Sequence, residues 1–431
     1  MRILMTGATG FIGSHIALAL EQHGHNVVCC VRSPALAARL LPNMMHVPCD
    51  FTADTSPQSW LPRLADVDVV INVAGIITET GENTFQRIHT DTPCALFDAC
   101  KQAGIKQVIQ VSALGVAAGI TTAYNVTKLA ADDYLANSGI PYTTLRPSWL
   151  YGRRSLSFGV LCAFAALPLI PVTGKGDYLV QPIAIEDFAE GVARLAALPP
   201  QNRTIEVGGP EQLTIRNILG IFRLWLGLGE ARYLRVPLLV VRLTAKVGDL
   251  FLKGPVNSAS FDMLTRHNIT PEASFWRLTT VQPRTLDNAL HKYPATPAQA
   301  LAARLFFALP LLNASLAFMW IASGLIPSVI TPHSVLLDYF AQSGITGRTA
   351  DILLVTSLSA DVLLGLGMFI KRTATPVYVL QIMLMLFYSV FLSISAPEWW
   401  MHPYGPLLKN IPLIAATILL FMANGGRRYD R

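Results

Sequence analysis

Hydrophobic residues are placed by one rule in the first two thirds of the chain and by another in the last third. Residues 2–6 form a short apolar run, and a glycine-rich turn follows. From Ser14 to His23 the apolar positions then recur at helical spacing until Gly24 stops them. Asn26–Arg32 reads as a second buried strand. Strand, turn, helix and strand within about 30 residues begin a parallel, doubly wound α/β sheet. Gln107–Ser112 and Tyr142–Leu145 read as further strands, and Leu129–Leu135 as part of a helix. Beyond residue 300 the runs lengthen to about membrane length. Four spans are expected, at about 305–326, 352–370, 376–396 and 407–424, and not one charge lies between Leu305 and Ile330. The first of these tolerates Pro310 and Asn313.

Composition agrees with two solvents. Of 431 residues 52% are hydrophobic and 14% charged, against roughly 25% charged in a soluble domain. Mean hydropathy is +0.43. A disordered or collagen-like chain is excluded. The net charge of +6 comes without a basic run or basic–aromatic interleaving, so no nucleic-acid partner is expected. Basic flanks at Arg304, Lys371/Arg372 and Arg427/Arg428/Arg431 alternate with weakly charged linkers 327–350 and 397–406. That alternation favours both termini and the first domain on the cytoplasmic side. The N-terminus runs directly into the glycine turn without a signal peptide. Trp399, Trp400 and Tyr404 suit an interfacial belt. Asp361 lies mid-span, where it either contacts a proton or quinone headgroup or is hydrogen-bonded by Ser357, Ser359 or a neighbouring helix. Six cysteines without metal spacing read as small buried hydrophobes, and no metal site is expected.

The candidate chemistry sits in the first half. Gly7, Gly10 and Gly13 supply a tight turn, close approach of backbone N–H groups to a pyrophosphate, and close helix–strand packing. At the end of the second strand stands Arg32, where a carboxylate would accept from the ribose of NAD. A guanidinium pairs with a 2′-phosphate, so NADP(H) is favoured and NAD(H) is the alternative. Ser112 closes a strand, and Tyr124 and Lys128 share one helix face at i and i+4. A phenol needs a nearby ammonium to bring its pKa down for acid–base work.

TGATGFIG at residues 6–13, Cys49-Asp50-Phe51, Val69–Gly75 with its N-x-A-G turn, Ser112 with Tyr124-x-x-x-Lys128, and Arg146-Pro-Ser-Trp-Leu-Tyr-Gly152 together resemble the extended and atypical short-chain dehydrogenase/reductases. Residues 230–295 resemble the looser C-terminal part of the subgroup related to a complex I accessory subunit, on Val236-Pro-Leu-Leu-Val-Val, Asp249, Pro255 and Asp262-Met-Leu. The four-span end resembles DoxX-like membrane domains. The resemblance implies a Rossmann-type domain over 1–230, a substrate-side subdomain over 231–300 and a DoxX-like domain over 301–431. It implies cofactor contacts from Gly7, Thr9, Gly10, Phe11, Ile12, Gly13, Arg32, Asp50, Phe51, Val73, Ala74, Gly75, Lys128 and Pro147. Catalysis would fall to Tyr124 as acid–base, Lys128 lowering its pKa and holding ribose, and Ser112 polarising the substrate oxygen. His89 stands where extended members place an asparagine that supports the lysine through a water. Asp187 reads as an N-cap or an interdomain anchor. Leu234–Leu252, interrupted by Arg242, Lys246 and Asp249, reads as an amphipathic helix. The function implied is a membrane-anchored NADP(H)-dependent oxidoreductase on a lipophilic carbonyl or alcohol. The alternatives are a nucleotide-sugar epimerase or dehydratase that retains its cofactor, and a non-catalytic NADPH-binding assembly factor. The partners expected are a lipophilic substrate, the bilayer, and a membrane complex or second copy of the chain.

Overall fold

The computed structural model describes residues 1–241, 267–342, 344–370, 372–395, 397–401, 405 and 407–425. Arg242, Lys246, Asp249, Pro255, Asp262, Lys371, Tyr404, Arg427, Arg428 and Arg431 lie outside the described residues. The chain divides into two compact units, Met1–Arg304 and Leu305–Arg431.

In the first unit β1 (Arg2–Thr6) is fully buried from Ile3 to Thr6. After the glycine turn come α1 (Phe11–Gln22), β2 (Asn26–Val31), α2 (Pro34–Leu40), β3 (Met45–Pro48) and α3 (Pro57–Trp60). The chain then crosses back through β4 (Val69–Asn72), a π-type turn Gln86–Asp91, α4 (Thr92–Ala103), β5 (Gln107–Val111), α5 (Ala123–Asn137) and β6 (Tyr142–Pro147). Short strands β7 (Leu150–Tyr151), β8 (Ile170–Thr173), β9 (Leu179–Val180) and β10 (Ile183–Ala184) follow, with α6 (Leu156–Ala166) after β7. Helix α7 (Ile185–Ala196) leads to β11 (Arg203–Val207), then β12 (Leu213–Thr214), α8 (Ile215–Trp225) and β13 (Tyr233–Val236).

Seven of these strands form one sheet in the order β11-β6-β5-β4-β1-β2-β3, and every pairing is parallel. Parallel strands covered on both faces read as continuous apolar runs, as they do here. One core packs α1 and α7 against the sheet, through Ile16, Leu20, Phe188 and Val192. The other packs α4 and α5 against the opposite face, through Trp60, Leu96, Phe97 and Leu135. The strand order reverses between β1 and β4, and ligands bind outside the carboxyl ends of the strands at such a switch point.

A third core gathers Tyr151, Phe158, Ile170, Phe222 and Leu286 from the shorter elements. After the undescribed residues come α9 (Ser274–Thr279) and α10 (Leu286–His291), also in the first unit. Asp187 does not cap α7, whose cap position is Ala184. Its carboxylate instead accepts from the Arg284 backbone at 2.8 Å and from Arg284 Nε at 2.9 Å, which fixes the chain ahead of α10.

The second unit is helical. Helix α11 (Pro297–Ile330) begins before the unit boundary, and α12 (His333–Gln342), α13 (Arg348–Gly367), α14 (Ala374–Ser395) and α15 (Asn410–Gly425) follow. Three of them, α11, α13 and α14, are long and apolar enough to cross a membrane. The fourth apolar run carries α15, 16 residues up to Gly425, beyond which the chain lies outside the described residues. Residues 407–409 form a turn, and Pro412 explains why. Two residues into the helix its missing N–H costs nothing, whereas in a helix starting at Leu407 its ring would meet the Leu408 carbonyl.

Helices α11 and α13 touch through small residues, which is how membrane helices approach closely. A Cβ at Gly324 would lie 2.3 Å from the Leu358 carbonyl oxygen, and one at Gly365 would lie 2.8 Å from that of Ala317. Asp361 is half-buried at this seam, 3.2 Å by its Cβ from the same position on Gly324. Ser357 does not bond it; its hydroxyl donates to the Leu354 carbonyl.

Candidate active site

Residues 6–13 close the glycine turn as their spacing requires. Gly7 has φ +67°, and a Cβ there would lie 2.9 Å from the Ala74 nitrogen. A Cβ at Gly13 would lie 2.1 Å from the Gly7 carbonyl oxygen. Gly10 is the exposed cap residue of α1 and has no side chain over the helix end. The first amides of α1 therefore meet solvent beside the switch point, a site built for an anion. Thr9, Phe11 and Ile12 are half-buried around it, as are Val73 and Ala74 on the facing turn.

A polar ladder that was not foreseen ties these turns together. Thr6 Oγ1 donates to Asn72 Oδ1, and Asn72 Nδ2 donates to Gln110 Oε1 at 2.7 Å. Thr6 Oγ1 also accepts from the backbone N–H of Val73 and Ala74. Three polar residues within buried strands were its only signal in the sequence.

At the end of β2, Arg32 is exposed and donates to Asn83 Oδ1 at 3.4 Å. Asp50 is held below the usual carboxylate range by hydrogen bonds from the Thr52 backbone and hydroxyl, with a smaller contribution from Arg32. Phe51 is buried edge-on against Trp60, and Pro147 is buried at the end of β6.

Tyr124 and Lys128 lie one turn apart on α5, with Thr122 capping its N-terminus. Lys128 Nζ is 5.9 Å from the Tyr124 ring centroid. The Tyr124 ring packs edge-on against His89 at 5.3 Å and Phe85 at 5.9 Å. Its hydroxyl makes no hydrogen bond among the described residues. Lys128 is buried and donates to the Val111 carbonyl at 3.4 Å. A Cβ at Gly75 would lie 3.4 Å from Lys128 Nζ and 3.6 Å from His89 Nε2, so the N-x-A-G turn, the lysine and the histidine converge. The expected depression of the Tyr124 pKa is not what these surroundings produce. Burial, and then the Asp132 charge, push the phenol up to about 12. In these surroundings Tyr124 holds its proton at neutral pH.

His89 also has a role of its own. The Ile76 N–H donates to His89 Nε2 at 3.1 Å, so the ring hydrogen is on Nδ1, 3.2 Å from Thr127 Oγ1. Burial, and then the Lys128 charge, hold its pKa down at about 3. The unfolded chain would protonate it near 6.5. Between those values the unfolded state binds more protons, so this group's contribution is present above 6.5 and is lost as the pH falls through the window. His89→Gln should therefore lose less thermal stability than the parent between pH 7 and about 4, read as melting temperature against pH in detergent.

Ser112 does not join Tyr124 through any described hydrogen bond. Its hydroxyl donates to Asp132 Oδ2 at 2.8 Å, and Arg146 Nε donates to the same oxygen at 3.0 Å. Asp132 was missed because a carboxylate on a helix face ordinarily reads as solvated, although its i+4 spacing from Lys128 was visible. Asn268 was missed as well. It follows the undescribed segment, accepts from Ser148 Oγ, and its Nδ2 donates to the Leu114 carbonyl at 3.4 Å.

Two family models match this chain. Residues 7–160 match one described as NAD(P)H-binding, and residues 317–418 match the DoxX-like family. The chain carries an NAD(P)-binding Rossmann domain and a DoxX-like domain. Over 317 residues it is 25% identical to "NADH dehydrogenase [ubiquinone] 1 alpha subcomplex subunit 9, mitochondrial" of Arabidopsis thaliana, covering 68% of this chain and 76% of that one. Over 199 residues it is 28% identical to the ceramide reductase of Caulobacter vibrioides (strain NA1000 / CB15N), covering 46% of this chain and 61% of that protein, so it spans about three fifths of the latter's length. The structure of UDP-N-acetylglucosamine 4-epimerase from Bacillus cereus superposes with a TM-score of 0.52 at 16% identity, over 70% of this chain and 99% of that one. The Rossmann domain thus shares the fold of the epimerases and dehydratases, and the DoxX-like domain with its three long apolar helices marks a membrane protein.

Proposed function

We propose that the chain is a membrane-anchored, NADP(H)-dependent reductase of a lipophilic carbonyl, such as a quinone, isoprenoid or sterol-like ketone. The observation that carries this reading is the convergence of Tyr124, Lys128 and the Gly75 turn beside the α1 glycine turn. A nicotinamide supplies hydride when bound. The cradle fits such a dinucleotide, since Gly10 puts no side chain over the start of α1 and the turn closes only where Gly7 and Gly13 carry no Cβ. Gly7, Thr9, Gly10, Phe11, Ile12 and Gly13 would hold the pyrophosphate. Asp50, Phe51, Val73, Ala74, Gly75 and Pro147 would line the rest, and Lys128 would bind ribose. Tyr124, protonated in its resting surroundings, would donate from Oη to the substrate oxygen, which favours reduction. Ceramide reductase among the relatives supports a lipid substrate. Residues 1–230, 231–300 and 301–431 serve as cofactor domain, substrate-side subdomain and membrane domain. The cofactor domain and both termini would face the cytoplasm of a bacterial inner membrane.

Arg32 supports NADP(H) over NAD(H), because it is exposed at the β2 end and its guanidinium keeps donors to spare. Arg32→Asp should lower the ratio of NADPH to NADH affinity by roughly tenfold to a hundredfold, measured by nucleotide titration.

The reading is tested with the detergent-purified chain, NADPH and a panel of lipid ketones. Stoichiometric NADPH consumption supports it. Turnover of a nucleotide sugar without net consumption would mean an epimerase instead. The complex I subunit among the relatives favours a second reading, a cofactor-binding component of a membrane complex. NADPH binding that persists without turnover of any ketone would favour that reading.

A further inference from the structure

Asp132 lies one helical turn after Lys128 on α5 and is 3% exposed. One of its oxygens is crowded with donors. Oδ2 takes Ser112 Oγ at 2.8 Å, Arg146 Nε at 3.0 Å and Arg146 Nη2 at 2.9 Å. Oδ1 is buried as well and accepts from no described group. Lys128, with three N–H donors, is 7% exposed and has as its described acceptor only the Val111 carbonyl at 3.4 Å. A buried carboxylate oxygen short of donors therefore stands one turn from a buried ammonium short of acceptors, on one face of one helix.

We propose that Asp132, ion-paired to Arg146 and bonded by Ser112, also sustains the Lys128 charge from one helical turn away, and that Ser112 is a positioning residue for this carboxylate instead of a donor to the substrate oxygen. Ser112 has one proton, and that proton is given to Asp132. Burial raises the Asp132 pKa, and Arg146, the Ser112 hydroxyl and Lys128 each oppose that rise, as a paired and hydrogen-bonded buried carboxylate requires. The clamp fixes the rotamer of Asp132 from two neighbouring strands, since Ser112 follows β5 and Arg146 lies on β6.

The groups around Lys128 support the assignment. Tyr124 and Asp132 share its helix, His89 faces it from the π-type turn, and Arg146 stands behind Asp132 on β6. Tyr124 and His89 are both neutral near pH 7. Asp132 is thus the one anion acting on the lysine among them. Burial lowers the Lys128 pKa and Asp132 opposes that lowering. Without Asp132 the lysine would release its proton at a lower pH, and its hold on a ribose hydroxyl would change from that of an ammonium to that of an amine.

The role given to Ser112 rests on the reductase reading, whereas the support of the Lys128 charge by Asp132 does not, and its test needs no substrate. The full chain in detergent is acylated with acetic anhydride across a pH series. Lys128 modification is followed by mass spectrometry, with exposed Lys106 as internal reference. Asp132→Asn should move the Lys128 midpoint down by about one pH unit, which is about tenfold faster labelling at neutral pH. An unmoved midpoint overturns the proposal. Asp132→Asn leaves Arg146 without its partner, so Asp132→Asn/Arg146→Gln is read against Arg146→Gln alone, which isolates the carboxylate. A midpoint at or above that of Arg146→Gln again contradicts the proposal. Ser112→Ala should lower kcat for the ketone and shift the Lys128 midpoint, with KM unmoved. A raised KM with the lysine midpoint unmoved would restore Ser112 as a substrate contact.

Discussion

Tyr124→Phe is expected to lower NADPH-dependent ketone reduction by roughly 100- to 10,000-fold, the range that positioned acid–base groups supply, while NADPH affinity stays at the parent value. The substitution removes one oxygen. That hydroxyl makes no described hydrogen bond, so nothing structural is lost with it. The ring remains wedged edge-on between His89 and Phe85, and Lys128 keeps its bond to the Val111 carbonyl. The loss should fall on kcat, because the proton is needed as hydride moves and not for binding. Its pH dependence carries a second expectation. Because burial and Asp132 push the phenol up to about 12, reduction by the parent enzyme should show no loss from Tyr124 ionisation between pH 7 and about 10. Stopped-flow or steady-state NADPH absorbance, with nucleotide titration alongside, measures both.

Gly13→Ala should have an effect of similar size by a different route. A methyl group at Gly13 falls 2.1 Å from the Gly7 carbonyl oxygen, 2.7 Å from the Gly7 carbonyl carbon and 3.0 Å from the Ala8 Cα. All three are backbone atoms of the turn, so no flexible side chain can yield. Either α1 moves away from β1 or the turn opens. Overpacking costs about 1–3 kcal/mol where a core can adjust, and this contact is with atoms that cannot. A loss of about 100-fold or more in NADPH affinity is expected, equal to about 3 kcal/mol, measured by fluorescence titration. Gly24→Ala is the control. Gly24 also has a positive φ, +76°, but open space surrounds it, so the change costs backbone strain in the α1–β2 loop and leaves the cradle alone.

What could be read in advance was what neighbours in sequence decide. The glycine spacing fixed the turn and the start of α1, and the four strands read at 2–6, 26–32, 107–112 and 142–145 lie in the sheet as expected. Tyr124 and Lys128 face one site because helix geometry makes i and i+4 neighbours. The partners of Ser112 were not legible, because Asp132 is 20 residues away and Arg146 lies on the next strand. Nor was the ladder from Thr6 to Asn72, which spans 66 residues and depends on β1 and β4 pairing in register. His89 was singled out from the motif, but its bond to the Ile76 N–H comes from a π-type turn that no sequence period announces. The start of α15 at Asn410 and not at 407 was not legible in the hydropathy, which does not see where a helix starts, whereas Pro412 does.

The anchor gives the proposed chemistry its context. The three apolar helices supply a bilayer in which a lipid ketone would already be concentrated. A reductase tethered there needs little affinity of its own for the lipid tail.

The central claim is that hydride passes from NADPH to a lipid carbonyl at the Tyr124 site. Its most direct test uses NADPH carrying deuterium at the transferable C4 position, the detergent-purified chain and a lipid ketone, with the alcohol product analysed by mass spectrometry. One deuterium per product molecule, carbon-bound at the former carbonyl, with product formed roughly 100- to 10,000-fold more slowly by Tyr124→Phe, is the predicted result. A product without deuterium, or product formed by the Tyr124→Phe variant at the parent's rate, would contradict the account.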